Sequence, residues 1–207
     1  MTRAWARNLV RDGDLALGYA IALIVLALVV FSQSEGESSR LVLAASTNLV
    51  NLRHQPLVSL LLSAFVVSSP WGLWLLPFVV WAYATAQRWL GRTSTVLVAV
   101  FGHVFATLLV ALLLSAGITH QVLSRSLARE PDVGVSYGLA AIGGLLLFRL
   151  APGRRWRLGA LVTVALGALI AVGQTFTDLG HLIAWGIGVS IGFVGVRLAV
   201  AIHPIVR

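Results

Sequence analysis

Six long runs nearly free of charge divide this chain, at 15–31, 71–90, 94–116, 134–150, 158–174 and 177–200. Each approaches the ~20 residues an α-helix needs to cross a hydrocarbon core. Backbone N–H and C=O groups facing lipid must be satisfied within the segment, so runs of this kind are expected to be helices. The expected architecture is an all-α membrane protein, a bundle of six transmembrane helices forming a single domain over residues 1–207. A mean hydropathy of +0.93 with 11% charged residues excludes an ordinary soluble domain. A further apolar stretch, 56–67, follows Asn48, Asn51, Arg53, His54 and Gln55 and is about half a span long. It reads as an interfacial or re-entrant piece, which makes the first outer loop long and partly membrane-embedded.

All the positive charge is arginine, and the net charge is +8. In a soluble protein that balance would suit nucleic acid, but these arginines lie between apolar runs and point to lipid head groups instead. Arg3, Arg7, Arg11, Arg88, Arg92, Arg149, Arg154, Arg155, Arg157, Arg197 and Arg207 fall on one side of a six-span topology. Only Arg40, Arg53, Arg125 and Arg129 fall on the other, so the expectation is that both termini are cytoplasmic. Trp5, Trp89 and Trp156 then mark the inner interface, and Trp71 and Trp74 the outer one. The first run is too long for a signal h-region and has no small-residue cleavage site after it, so it reads as the first span. The arginine-rich, lysine-free composition suggests a bacterial inner membrane. With no cysteine, neither a disulfide nor a thiolate metal site can form, and a nucleophile must be oxygen or nitrogen. No His/Asp/Glu spacing suggests a metal site, and no cofactor is expected.

In this topology Ser136 opens the fourth span and His181 lies a turn or so into the sixth, both in the outer half. A serine hydroxyl is a weak nucleophile, and an imidazole within about 2.6–3.2 Å is the usual way to activate it. Gly180, Ala184, Gly188 and Gly192 recur every fourth residue along the sixth span, as Ser136, Ala140 and Gly144 do along the fourth. Such stripes let membrane helices approach closely enough for a Ser–His contact, and Gly134, Gly138, Ala184 and Gly188 are expected to pack the helices around it. Small-residue stripes also occur in helices without any active site, where Ser136 would be a cap or a packed small residue. His103, inside the third span with Thr107 one turn on, is either a functional intramembrane group or a neutral histidine bridging two helices. Asp178 either orients His181 from three residues away or caps the last helix. Asp132 and Glu130 read as loop or cap residues, and His54, His120 and His203 as solvated or interfacial.

Gly134, Val135 and Ser136 at the start of a helix resemble the rhomboid G-x-S nucleophile motif, with Gly138 one turn on. His181, Leu182, Ile183 and Ala184 followed by Gly188 resemble that family's H-x-x-G-x-x-x-G, with Ala184 for the first glycine. The stretches 62–67 and 71–91 are similar to its embedded first loop and second helix, so the likeness runs from about residue 50 onward. The resemblance implies a six-helix intramembrane serine protease in which Ser136 is the nucleophile and His181 the general base. Transmembrane helices of membrane proteins would be its partners. Leu73 and Pro77 occupy the positions where the family's second helix offers a His and an Asn to the oxyanion, which leaves backbone N–H groups or His103 to serve. Tyr137 replaces a small residue, and Ala140 stands where an aromatic ring packs against the histidine. The alternative is a rhomboid-like protein that binds client helices without cleaving them. A proton-coupled carrier built on His103 would need inverted repeats and intramembrane carboxylates that the chain lacks. Oligomeric state is not encoded in any of these features.

Overall fold

The computed structural model describes residues 13–173 and 175–202, with side chains described as far as Val196. The expectations placed on Arg3, Trp5, Arg7, Arg11, His203 and Arg207, and on the side chain of Arg197, lie outside the described residues. Within them every regular element is helical: α1 Asp14–Phe31, α2 Glu35–Ala45, α3 Leu49–His54, α4 Pro56–Ser63, α5 Leu76–Leu90, α6 Arg92–Thr119, α7 Val135–Leu146, α8 Pro152–Gly173 and α9 Phe176–Ile202.

Helix ends depart from the apolar runs where proline and backbone hydrogen bonding, rather than hydropathy, decide them. The run at 71–90 opens as a 3₁₀ turn, Pro70–Leu75, before α5 begins with Pro77 in its first turn, where a missing N–H costs nothing. The run at 134–150 leaves the α-helix at Leu146 and closes in a 3₁₀ turn, Leu147–Arg149. Pro152 then starts α8 six residues ahead of the 158–174 run, since arginines propagate a helix well although they end an apolar window. Among the described residues, four helices are long and apolar enough to cross a membrane: Asp14–Phe31, Arg92–Thr119, Pro152–Gly173 and the Phe176–Val196 part of α9. The fourth and second runs give shorter helices, so the count of six spans does not follow from helix length alone.

The bundle is built around α7, which packs against α5, α6 and α9. Most of its residues are buried, among them Val135, Tyr137, Ala141, Ile142 and Leu145. Helix α8 contributes no buried residue and leans on α9, where Trp185 Nε1 donates to Thr163 Oγ1 at 3.1 Å. On the opposite flank α1 packs along α5. Its first residue, Asp14, receives Gln87 Nε2 at 2.6 Å and pairs with Arg92 Nη2 at 2.7 Å. Gly91, at φ +81, makes the left-handed turn between α5 and α6.

The first loop is folded and pinned to the bundle. Ser34 and Asn48 cap α2 and α3, Tyr19 donates to the Ala64 carbonyl at 2.6 Å, and Gly134 N–H donates to the Ser63 carbonyl at 2.9 Å. Helix α4 is inside-out: Ser59 and Ser63 are buried while Leu57 and Leu61 are 80% and 64% exposed. A surface helix in water would turn the other way round.

Candidate active site

Val135 and Ser136 are the first two residues of α7, after Gly134. No acceptor for either N–H is found among the described residues, and a helix N-terminus leaves such donors pointing outward with the positive end of its dipole. Helix α9 begins with an N-cap, in which Thr175 Oγ1 accepts from Asp178 N–H at 3.2 Å while donating to Asp178 Oδ2 at 2.5 Å. His181 follows within the next turn. Its Nε2 lies 2.8 Å from Ser136 Oγ, and both residues are half-buried.

This approach depends on backbone contact between α7 and α9. A Cβ on Gly188 would overlap the Ala141 carbonyl, and one on Gly144 would sit 2.9 Å from Val189 N. Ala184 is fully buried in the same seam with Ala106 and Tyr137. The small-residue stripes therefore act where they face each other.

The other expected residues fall in different places. Gly134 and Gly138 do not pack around the Ser–His contact. A side chain on Gly134 would overlap the His103 ring, and one on Gly138 would meet the Tyr83 hydroxyl. Two residues along a helix is about 200° of turn, so Gly134 and Gly138 face away from Ser136. They line a cavity of about 670 Å³ between α1, α4, α5 and α6 that neither Ser136 nor His181 borders. His103, 4% exposed, lies beside that cavity. Its Nε2 is 2.9 Å from the Leu60 carbonyl, which can only accept, so this nitrogen carries the proton. Ser63 Oγ lies 3.2 Å from the same atom and Thr107 Oγ1 3.5 Å from Nδ1. His103 thus bridges α6 to α4, and its one N–H in that tautomer is taken up by the Leu60 carbonyl. Asp178 is held by Thr175 Oγ1 rather than by His181 Nδ1. Leu73 packs against the core and Pro77 is exposed, so neither offers a donor.

Two residues given minor roles by the sequence occupy central ones. Tyr137 is completely buried, and its ring meets the His181 ring edge to face at 5.3 Å and 78°. A Cβ on Gly180 would overlap the Tyr137 ring, so the phenol packs directly on that backbone. The Tyr137 hydroxyl donates to Asp132 Oδ1 at 2.9 Å. Asp132, 3% exposed, lies in the loop before α7, and burial pushes its carboxyl up to about 6. The only sequence signal for this pair was an acid close to the serine in a chain with seven acids in all. Among the described residues no group of acids, histidines or cysteines gathers that could hold a metal ion.

Comparison with known proteins gives one family. The model of a rhomboid-like protein matches residues 10–200. No curated protein and no solved structure matches the chain.

Proposed function

The chain belongs to the rhomboid-like family, and from that premise we propose that it is an intramembrane serine endopeptidase that cleaves transmembrane segments of other membrane proteins. The observation that carries this reading is the 2.8 Å contact between Ser136 Oγ and His181 Nε2. In the proposed reaction Ser136 Oγ attacks the scissile carbonyl carbon while His181 Nε2 takes the hydroxyl proton. The carbonyl oxygen, now negative, is held by the unpaired N–H groups at the start of α7. Collapse breaks the C–N bond, and the leaving amine takes the proton from His181. A water molecule, deprotonated in turn by His181, then releases the acyl group.

Six spans, with both termini on the cytoplasmic side of a bacterial inner membrane, suit this chemistry. The 3₁₀ turn and α5 together rise about 34 Å, enough for a span, whereas α7 with its closing turn rises only about 24 Å. Surrounded by longer helices, so short a helix would start below the outer surface. Water could reach Ser136 there from outside while a substrate helix entered from the lipid. The exposed leucines of α4 support a membrane-embedded first loop.

A second reading, a rhomboid-like protein that binds client helices without cleaving them, is favoured by one observation: Leu73 and Pro77 supply no side-chain donor for the oxyanion. Losing one such donor can lower a rate by ~10²–10³. Labelling of the detergent-purified protein with a fluorophosphonate probe separates the two. Proteolysis predicts labelling of the wild type that disappears in Ser136→Ala and in His181→Ala. A folded wild type that stays unlabelled, under conditions where the probe labels a control serine hydrolase, removes the protease reading.

A further inference from the structure

His181 must present Nε2 to Ser136, yet the usual device for holding such a ring is missing: no acceptor for its Nδ1 is found among the described residues, and Asp178 is bonded to the Thr175 hydroxyl. What does hold the ring is Tyr137, edge to face on one side. A phenol in a fully buried place needs an acceptor for its O–H, and the Asp132 carboxylate accepts it at 2.9 Å. The same residue is tied to the first loop. Its backbone carbonyl accepts from Thr47 N at 2.8 Å and Thr47 Oγ1 at 3.2 Å, and Thr47 Oγ1 also lies 3.5 Å from its Oδ2.

A loop that merely needed closing would not bury a carboxylate, because desolvating the charge is costly and an apolar side chain would fill the space. A carboxylate here has a specific task available to it, since it meets the one hydroxyl whose ring touches His181. Resting on the protease reading, the geometry points to Asp132 as a positioning residue for His181, acting through the Tyr137 phenol. Asp132 fixes where the hydroxyl sits; the hydroxyl fixes the tilt of the ring; the ring, wedged between Gly180 and His181, limits the rotation of the imidazole. The task requires an acceptor at Asp132, not a charge.

The test uses the full chain in detergent with Asp132→Ala, Asp132→Asn and Tyr137→Phe. Misplacing a catalytic group by ~1 Å can lower a rate by ~10²-fold, so the expectation is fluorophosphonate labelling slowed about tenfold or more in Asp132→Ala and Tyr137→Phe. Asp132→Asn, whose amide oxygen still accepts the hydroxyl, is expected to label near the wild-type rate. A purely structural role would not separate these variants from others of equal thermal stability, so the ring is also read directly. In ¹⁵N-histidine-labelled protein, with five histidines and His181→Ala for assignment, the His181 nitrogens should shift in Asp132→Ala and Tyr137→Phe and not in Asp132→Asn. Wild-type labelling with no change in rate or ring signal in Asp132→Ala and Tyr137→Phe overturns the assignment, as does an Asp132→Asn variant as impaired as Asp132→Ala. An unlabelled wild type overturns the protease reading instead, and the ring signals alone then decide for or against Asp132.

Discussion

Single side chains here divide into those the sequence announces and those it conceals. Ser136 and His181 stand out because few polar residues interrupt the runs they occupy. Asp132 did not, since its importance comes from burial, which depends on a loop some 85 residues away in sequence supplying Thr47. Its carboxyl carries a consequence for stability. Because the folded-state value is raised from 3.8 to about 6, the folded protein holds a proton that the unfolded chain releases across that window. Stability therefore falls as pH rises from about 4 to about 6, by up to about 3 kcal/mol, and levels off above it. Asp132→Asn, which cannot ionise, should lose this slope and unfold at a higher temperature than the wild type at pH 7.5. Thermal unfolding followed by circular dichroism from pH 4 to pH 8 checks it. His103 teaches the complementary lesson: an intramembrane histidine drew attention as a functional group, and its partners, the Leu60 carbonyl and Ser63, make it a bridge.

At the level of helices, the decisive contact is the seam between α7 and α9. The four-residue recurrence of small side chains, Gly188 among them, was readable in the sequence, but what each one meets was not, because the neighbouring helix decides that. Gly188 lies against the Ala141 carbonyl, whereas Gly186, on the same helix, has nothing within 4 Å of where its Cβ would be. Gly188→Ala should push the two helices apart, cost about 1–3 kcal/mol as overpacking does, and weaken probe labelling through the Ser136–His181 distance. Gly186→Ala should leave both stability and labelling near wild type. Comparing melting temperature and labelling rate for the two variants tests the seam with its own control.

For the whole molecule, the proposed orientation assigns each loop to one face of the membrane. The chain has no cysteine, so single cysteines report topology cleanly. With the proposed orientation, Glu35→Cys should react with an impermeant maleimide from outside intact cells, and Arg154→Cys only after the membrane is opened. Reaction of both from the same side would remove the six-span arrangement. The sequence by itself determined that the chain is a helical membrane protein, because the free energy of an unpaired backbone in lipid leaves long apolar runs no other form. It also singled out Ser136 and His181, which the fold places 2.8 Å apart, because polar groups are rare in such runs. Tertiary structure decided the rest. Proline and 3₁₀ turns set where α5 and α7 begin and end, and backbone contact between α7 and α9 set the distance from serine to histidine. Burial then made an ordinary loop aspartate the support beneath Tyr137. Each of these depends on which surfaces meet, and hydropathy along a single chain carries no record of that.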